Sequence, residues 1–104
     1  MDAVTAMSGS GPAYFFYLAE QMIAAGIEMG LTAEQAKLLT IKTAVGAAAM
    51  LEKGGAEPAE LRRRVTSPGG TTQAAIEHMA SGDLPRVVVD ALKAAARRAA
   101  ELSL

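Results

Sequence analysis

Residues 44–51 read Ala-Val-Gly-Ala-Ala-Ala-Met-Leu, eight positions without one polar side chain. Wound into a helix, at about 100° per residue, they leave no face for water. The run Tyr14-Phe15-Phe16-Tyr17, inside another helical pattern, does the same with aromatic rings. A helix apolar all round must be covered all round, and a chain of 104 residues divided among short helices does not enclose two of them. The missing cover is expected from a second copy. Ala44, Gly46, Ala47, Ala48 and Ala49 let another helix backbone come close, so the pattern predicts an interdigitated symmetric homodimer. The alternative is a monomer with a sticky surface.

Local signals cut the chain into about five helices, an all-α bundle carried by a single domain over residues 1–104. Ser10-Gly11-Pro12 starts the first, because proline is tolerated where its absent N–H has no intrahelical partner, and Gly30 ends it. Thr32-Ala33-Glu34-Gln35 fits a capping box before a second helix over residues 33–53, which Gly54-Gly55 closes. Glu57-Pro58 opens a short third, with Leu61 and Val65 on one face. Thr71 or Thr72 is expected to cap a fourth that runs to Met79 and closes at Ser81-Gly82. Asp83 is expected to cap the fifth, in which Leu84, Val88, Ala91, Leu92, Ala95, Ala99 and Leu102 keep a helical rhythm. No stretch alternates with period two, so strands are not expected.

Charge and composition exclude several partners. Ten Lys and Arg against eleven Asp and Glu give a formal charge of -1, which makes no electrostatic case for nucleic acid or an acidic membrane. Without cysteine there is no disulfide and no thiolate metal site, and a reducing cytoplasm is compatible. The N-terminus has Asp2 and no cationic region ahead of an apolar core, so no signal peptide is expected. Glu20, Gln21 and Glu28 interrupt the most apolar helical stretch, so no membrane span is expected either.

Conventional catalytic groups are scarce. His78 is the one histidine and reads as a surface or partly buried helix residue. It does not converge with the adjacent Glu77 on a metal, since neighbours on a helix point about 100° apart. Arg62-Arg63-Arg64 fans around its helix as a solvated face, and Arg97-Arg98 reads the same way.

Ser67-Pro68-Gly69-Gly70-Thr71-Thr72 is different because its backbone is the feature. Pro68 biases Ser67 toward extended geometry, and the glycines permit positive φ and leave amides uncovered. A helix N-terminus follows, whose unpaired donors and partial positive charge favour a carboxylate or phosphate. Thr71 and Thr72 add hydroxyls there. Two readings stay open at this point: an ordinary loop with a threonine cap, and an anion site. Ser-Gly-Ser-Gly-Pro-Ala-Tyr over residues 8–14 has a similar design but reads alone as linker and cap; it lacks the Gly-x-Gly-x-x-Gly spacing and the preceding strand of a dinucleotide site.

Taken together, AVTAMSGSGPAYFF, GLTAEQAKLLTIKTAVGAAAMLE and VTSPGGTTQAAIEHM resemble the C-terminal helical domain of the pyrroline-5-carboxylate reductases over nearly the whole chain, with residues 65–79 matching the family signature. The resemblance implies a reductase of proline biosynthesis that passes hydride from NADPH or NADH to the C=N carbon of 1-pyrroline-5-carboxylate, giving L-proline. It implies an interlocked dimer, with possible higher assembly, and a substrate lying between one subunit's nucleotide and the other's glycine loop. Carried over by position, the amides of Gly70 and Thr71 hold the substrate carboxylate, Ser67 and Gly69 shape the loop, and Thr72 hydrogen-bonds the imine nitrogen. Threonine is a poor acid, so Thr72 is expected to orient the imine or relay a proton from water. Met1 stands directly before the helical domain, so an excised domain or fragment is expected, one that binds no nucleotide and reduces nothing alone. The rival is a purely structural dimerisation module of another Rossmann-type dehydrogenase.

Overall fold

The computed structural model describes residues 1–104, and it contains helices and turns without a strand. Three helical residues, Asp2–Val4 (α1), run into a π-helical turn, Thr5–Gly9. Five longer helices follow: α2 Gly11–Glu28, α3 Ala33–Lys53, α4 Pro58–Arg64, α5 Thr71–Ser81 and α6 Leu84–Leu102. Two compact units result, Phe16–Pro68 and the pair of segments Met1–Phe15 with Gly69–Leu104.

In the unit Phe16–Pro68, α3 starts as its sequence dictates. The Thr32 hydroxyl accepts from the Gln35 amide at 3.1 Å, and the Gln35 side chain accepts from the Thr32 amide at 3.0 Å. Both donors at this helix end are thereby satisfied. Gly30, at φ +105, turns the chain out of α2, and Gly55, at φ +64, turns it out of α3. Close packing occurs at Gly26, where a Cβ would sit 3.0 Å from the Ala36 Cβ, so only two minimal residues allow this approach. Ala36 and Thr40, one turn apart, form the buried face of α3. Beyond Thr40 that face ends, and residues 41–53 are exposed throughout. Pro58 occupies the first turn of α4, and Leu61 is buried near Gly54.

In the other unit, α6 packs against α1, the π-turn and α5. Its second half supplies the contact face, with Leu92, Ala95, Ala96, Ala99 and Ala100 half-buried, whereas residues 84–91 are exposed. Ala6 in the π-turn is buried, and the Tyr14 hydroxyl donates to the Ala6 carbonyl at 2.7 Å. That bond ties the wide turn to the first turn of α2.

The structure departs from the sequence expectations in four places. Val65 is the exposed C-cap of α4 and does not share the buried face of Leu61, because the helix ends at Arg64. Helical backbone begins at Asp2, ahead of the expected start at Pro12. Asp83 does not cap α6 through its side chain; it is left-handed, at φ 63, and links α5 to α6 by backbone while Gly82 stays at φ -84. Aspartate tolerates that conformation better than most residues, which frees Gly82 from it. Neither Thr71 nor Thr72 is the N-cap of α5: Gly70 is, and the threonines are the first two helical residues.

Candidate functional site

Two helix starts in the same chain show what sets the glycine loop apart. At α3 a threonine caps and the third helical residue, Gln35, closes the N-cap amide. At α5 the cap is Gly70, which has no side chain, so nothing caps the amides of the first turn. A glutamine again stands third, yet the Gln73 side chain accepts from the Gly69 amide, one residue earlier than in a capping box. The N–H of Gly70 is therefore left open along with those of Thr71 and Thr72. First backbone pairing within α5 comes only at Ala74, whose amide donates to the Gly70 carbonyl at 3.3 Å.

Backbone conformation delivers this arrangement. Gly69 is left-handed, at φ +73, and Gly70 is extended, at φ -90 and ψ -175. Of the two glycines only Gly69 uses the freedom that glycine alone has without penalty. The chain arrives from the end of α4, where the Thr66 hydroxyl donates to the Arg62 carbonyl. Ser67 and Pro68, both exposed, end one unit, and Gly69 begins a segment of the other. Gly69, Gly70, Thr71 and Thr72 thus stand together at the start of α5, with Ser67 preceding them in the loop. Thr72 and Gln73 are half-buried, and Thr71 is exposed.

Charge at this end is unopposed. The first turns of α3 and α4 each carry an acid, Glu34 and Glu60, but that of α5 carries none. No carboxylate of the helix itself competes for its positive end. A planar carboxylate suits two or three adjacent N–H donors, and a neutral hydroxyl such as that of Thr72 can donate to or accept from a ring nitrogen beyond it. The sequence reading named every residue of the loop but missed Gln73. A glutamine at the third helical position was the available signal, the same one that identified the cap of α3.

Other polar groups do not join this site. Arg63 and Arg64 pair with Glu60 on the surface of α4, Arg86 with Asp90 and Arg98 with Glu101 on α6, all exposed. His78 is exposed on α5. No group of three or more His, Cys, Asp or Glu could hold a metal ion, and no helix is long and apolar enough to cross a membrane. A nicotinamide dinucleotide does not fit these residues, which provide neither a strand nor the glycine-rich turn between strand and helix that cradles its pyrophosphate.

Comparison with known proteins agrees on one family. The model for pyrroline-5-carboxylate reductase dimerisation matches residues 1–102. Pyrroline-5-carboxylate reductase of Pseudomonas aeruginosa is 55% identical over 103 residues, which are 99% of this chain and 38% of that protein. A structure of a pyrroline-5-carboxylate reductase from Coxiella burnetii superposes with a TM-score of 0.93 at 46% identity, covering 97% of this chain and 37% of that one. The NADP-bound pyrroline carboxylate reductase of Plasmodium falciparum does so with a TM-score of 0.91 at 34% identity, covering 94% and 37%. The chain therefore spans about two fifths of the length of the relatives it matches. All-helical, matched along its length and carrying the open glycine–threonine helix start, this chain belongs to the pyrroline-5-carboxylate reductase family and corresponds to its dimerisation domain.

Proposed function

We propose that these residues act as one domain that forms an interlocked homodimer and holds the substrate of a cytoplasmic enzyme of proline biosynthesis, which reduces 1-pyrroline-5-carboxylate to L-proline. Hydride comes from NADPH or NADH bound outside these 104 residues. One observation carries the substrate assignment: the amides of Gly70, Thr71 and Thr72 stand open at the start of a helix with no acid in its first turn. The amides of Gly70 and Thr71 receive the substrate carboxylate, while Ser67 and Gly69 shape the loop. Thr72, half-buried at the second helical position, reaches the imine nitrogen. As the C=N carbon takes hydride, the π pair moves onto nitrogen, and nitrogen takes a proton that Thr72 orients or relays from water. Holding the ring by carboxylate and nitrogen at once presents one carbon for attack, so much of the rate arises from positioning.

Substitution of Thr72 in the enzyme carrying this domain tests the reading. Thr72→Ala is expected to lower turnover by about tenfold to a hundredfold, the worth of one hydrogen bond to a reacting group, and Thr72→Ser to retain most of it. Dimer mass by light scattering should be unchanged in both. Equal turnover in wild type and Thr72→Ala removes Thr72 from the chemistry. A polypeptide of residues 1–104 alone is expected to bind carboxylates weakly and to form no proline from pyrroline-5-carboxylate and NADPH; proline formation by it would place the nucleotide site within these residues.

A further inference from the structure

We propose that Gln73 is a positioning residue for the substrate carboxylate, acting through Gly69; the proposal rests on the reduction described above and specifies how its anion cradle is held open. Glutamine at the third helical position ordinarily folds back onto the N-cap amide, as Gln35 does at 3.0 Å on Thr32. Were Gln73 to do so, it would occupy the Gly70 amide, one of the two donors assigned to the carboxylate. Instead its Oε1 accepts from Gly69. This reach requires Gly69 to turn its N–H toward the helix, which it does in the left-handed conformation, at φ +73.

The displaced bond has two consequences. It fixes the loop residue just before the cradle, so that the Gly70 amide is held in direction as well as left free. It also removes the Gly69 amide from the set of donors, so that the open N–H groups begin at Gly70. Gln73 is half-buried and touches no reacting atom, so its effect falls on binding. Losing it lets Gly69 leave its conformation, and the carboxylate then has to order the loop on arrival.

Gln73→Leu, which keeps bulk and removes the acceptor, tests this in the intact enzyme. KM for pyrroline-5-carboxylate is expected to rise about tenfold, with kcat within about twofold of wild type. Amide exchange at Gly69 should accelerate while exchange in the core of α5 does not. Gln73→Glu retains an oxygen acceptor at the same reach and should keep Gly69 protected; its added charge beside the bound carboxylate should raise KM at low salt, with recovery as salt screens it. If Gln73→Leu does not fold, loss of Gly69 protection in Gln73→Glu overturns the proposal by itself. Unchanged KM in Gln73→Leu, or a fall in kcat at constant KM, also overturns it, and wild-type activity in the same assay then shows the reduction reading intact. A wild-type enzyme that does not reduce pyrroline-5-carboxylate sinks the reduction reading instead.

Discussion

Gly69 is the residue on which the geometry of the loop turns. Its φ of +73 lies where an L side chain is strained, yet a Cβ built there meets nothing within 4 Å. Gly69→Ala therefore isolates the backbone cost from any clash, and it is expected to destabilise the fold by about 1 kcal/mol. Urea unfolding monitored by circular dichroism measures this; an unchanged midpoint would mean that the left-handed turn is not held in solution. Gly26 is the opposite case. It is helical and unstrained in φ, but an added Cβ would stand 3.0 Å from that of Ala36. Gly26→Ala is expected to cost about 1–3 kcal/mol through overpacking. The same unfolding experiment checks both, and the Gly26 variant should be the less stable of the two. Of these requirements the sequence displayed only the first. Adjacent glycines after a proline announce a turn by local chemistry, whereas the need for glycine at position 26 arises from a helix that its neighbours in sequence do not reveal.

At the scale of elements, legibility follows how local each signal is. Thr32, Gln35 and Gly55 define α3 through bonds and dihedrals within a few residues, so both ends could be read from the chain. The π-turn at Thr5–Gly9 could not. Its closing bonds include that from Tyr14, eight residues away, and α6 packs against it from the far end of the chain. The start of α5 was half legible. Gly-Gly-Thr-Thr marked a turn into a helix, but the capping template places a side-chain cap at Thr71 or Thr72 and overlooks a glutamine that skips the N-cap. The open end of α5 carries an opposed pair of expectations. Thr71→Asp puts an acid at the first helical position, where it should stabilise the helix by about 0.3–1 kcal/mol. The same charge should repel a substrate carboxylate and raise KM severalfold, an effect that fades with salt. Thermal melting and substrate saturation of the one variant thus move in opposite directions; a stabilised variant with unchanged KM would place the anion elsewhere.

At the scale of the whole molecule, the apolar stretch of residues 44–51 stands exposed throughout. The chain exposes 8188 Å², whereas a compact monomer of 10.7 kDa exposes about 5,500 Å². The excess, roughly 2,700 Å² per copy and so about 5,400 Å² for a pair, is of the size that large obligate interfaces bury in total. Its chemistry fits as well: Phe15, Phe16 and Tyr17 are each about 70% exposed, Val45 is 62% exposed, and Met50, Leu51, Val87 and Val88 are also uncovered. Water on such a surface costs about 25 cal/mol per Å², so the helices of a second copy are the natural cover, and the small side chains from Ala44 to Ala49 allow their close approach. Val45→Glu tests the assignment. A charge at that position enters a symmetric interface twice, and each copy costs several kcal/mol to desolvate without a partner. The dimer is therefore expected to weaken by at least about a hundredfold, seen as a monomer mass by light scattering at micromolar concentration. Arg64→Glu, an exposed surface change on α4, should leave the dimer mass as it is. A Val45→Glu dimer as tight as wild type would mean that the exposed half of α3 lies outside the interface. Val45 is far in sequence from the loop of residues 67–72, so dissociation in this variant also asks whether the anion cradle needs the second copy: carboxylate binding that persists in the monomer assigns the cradle to the single chain, and binding lost with the dimer assigns it to the assembled pair.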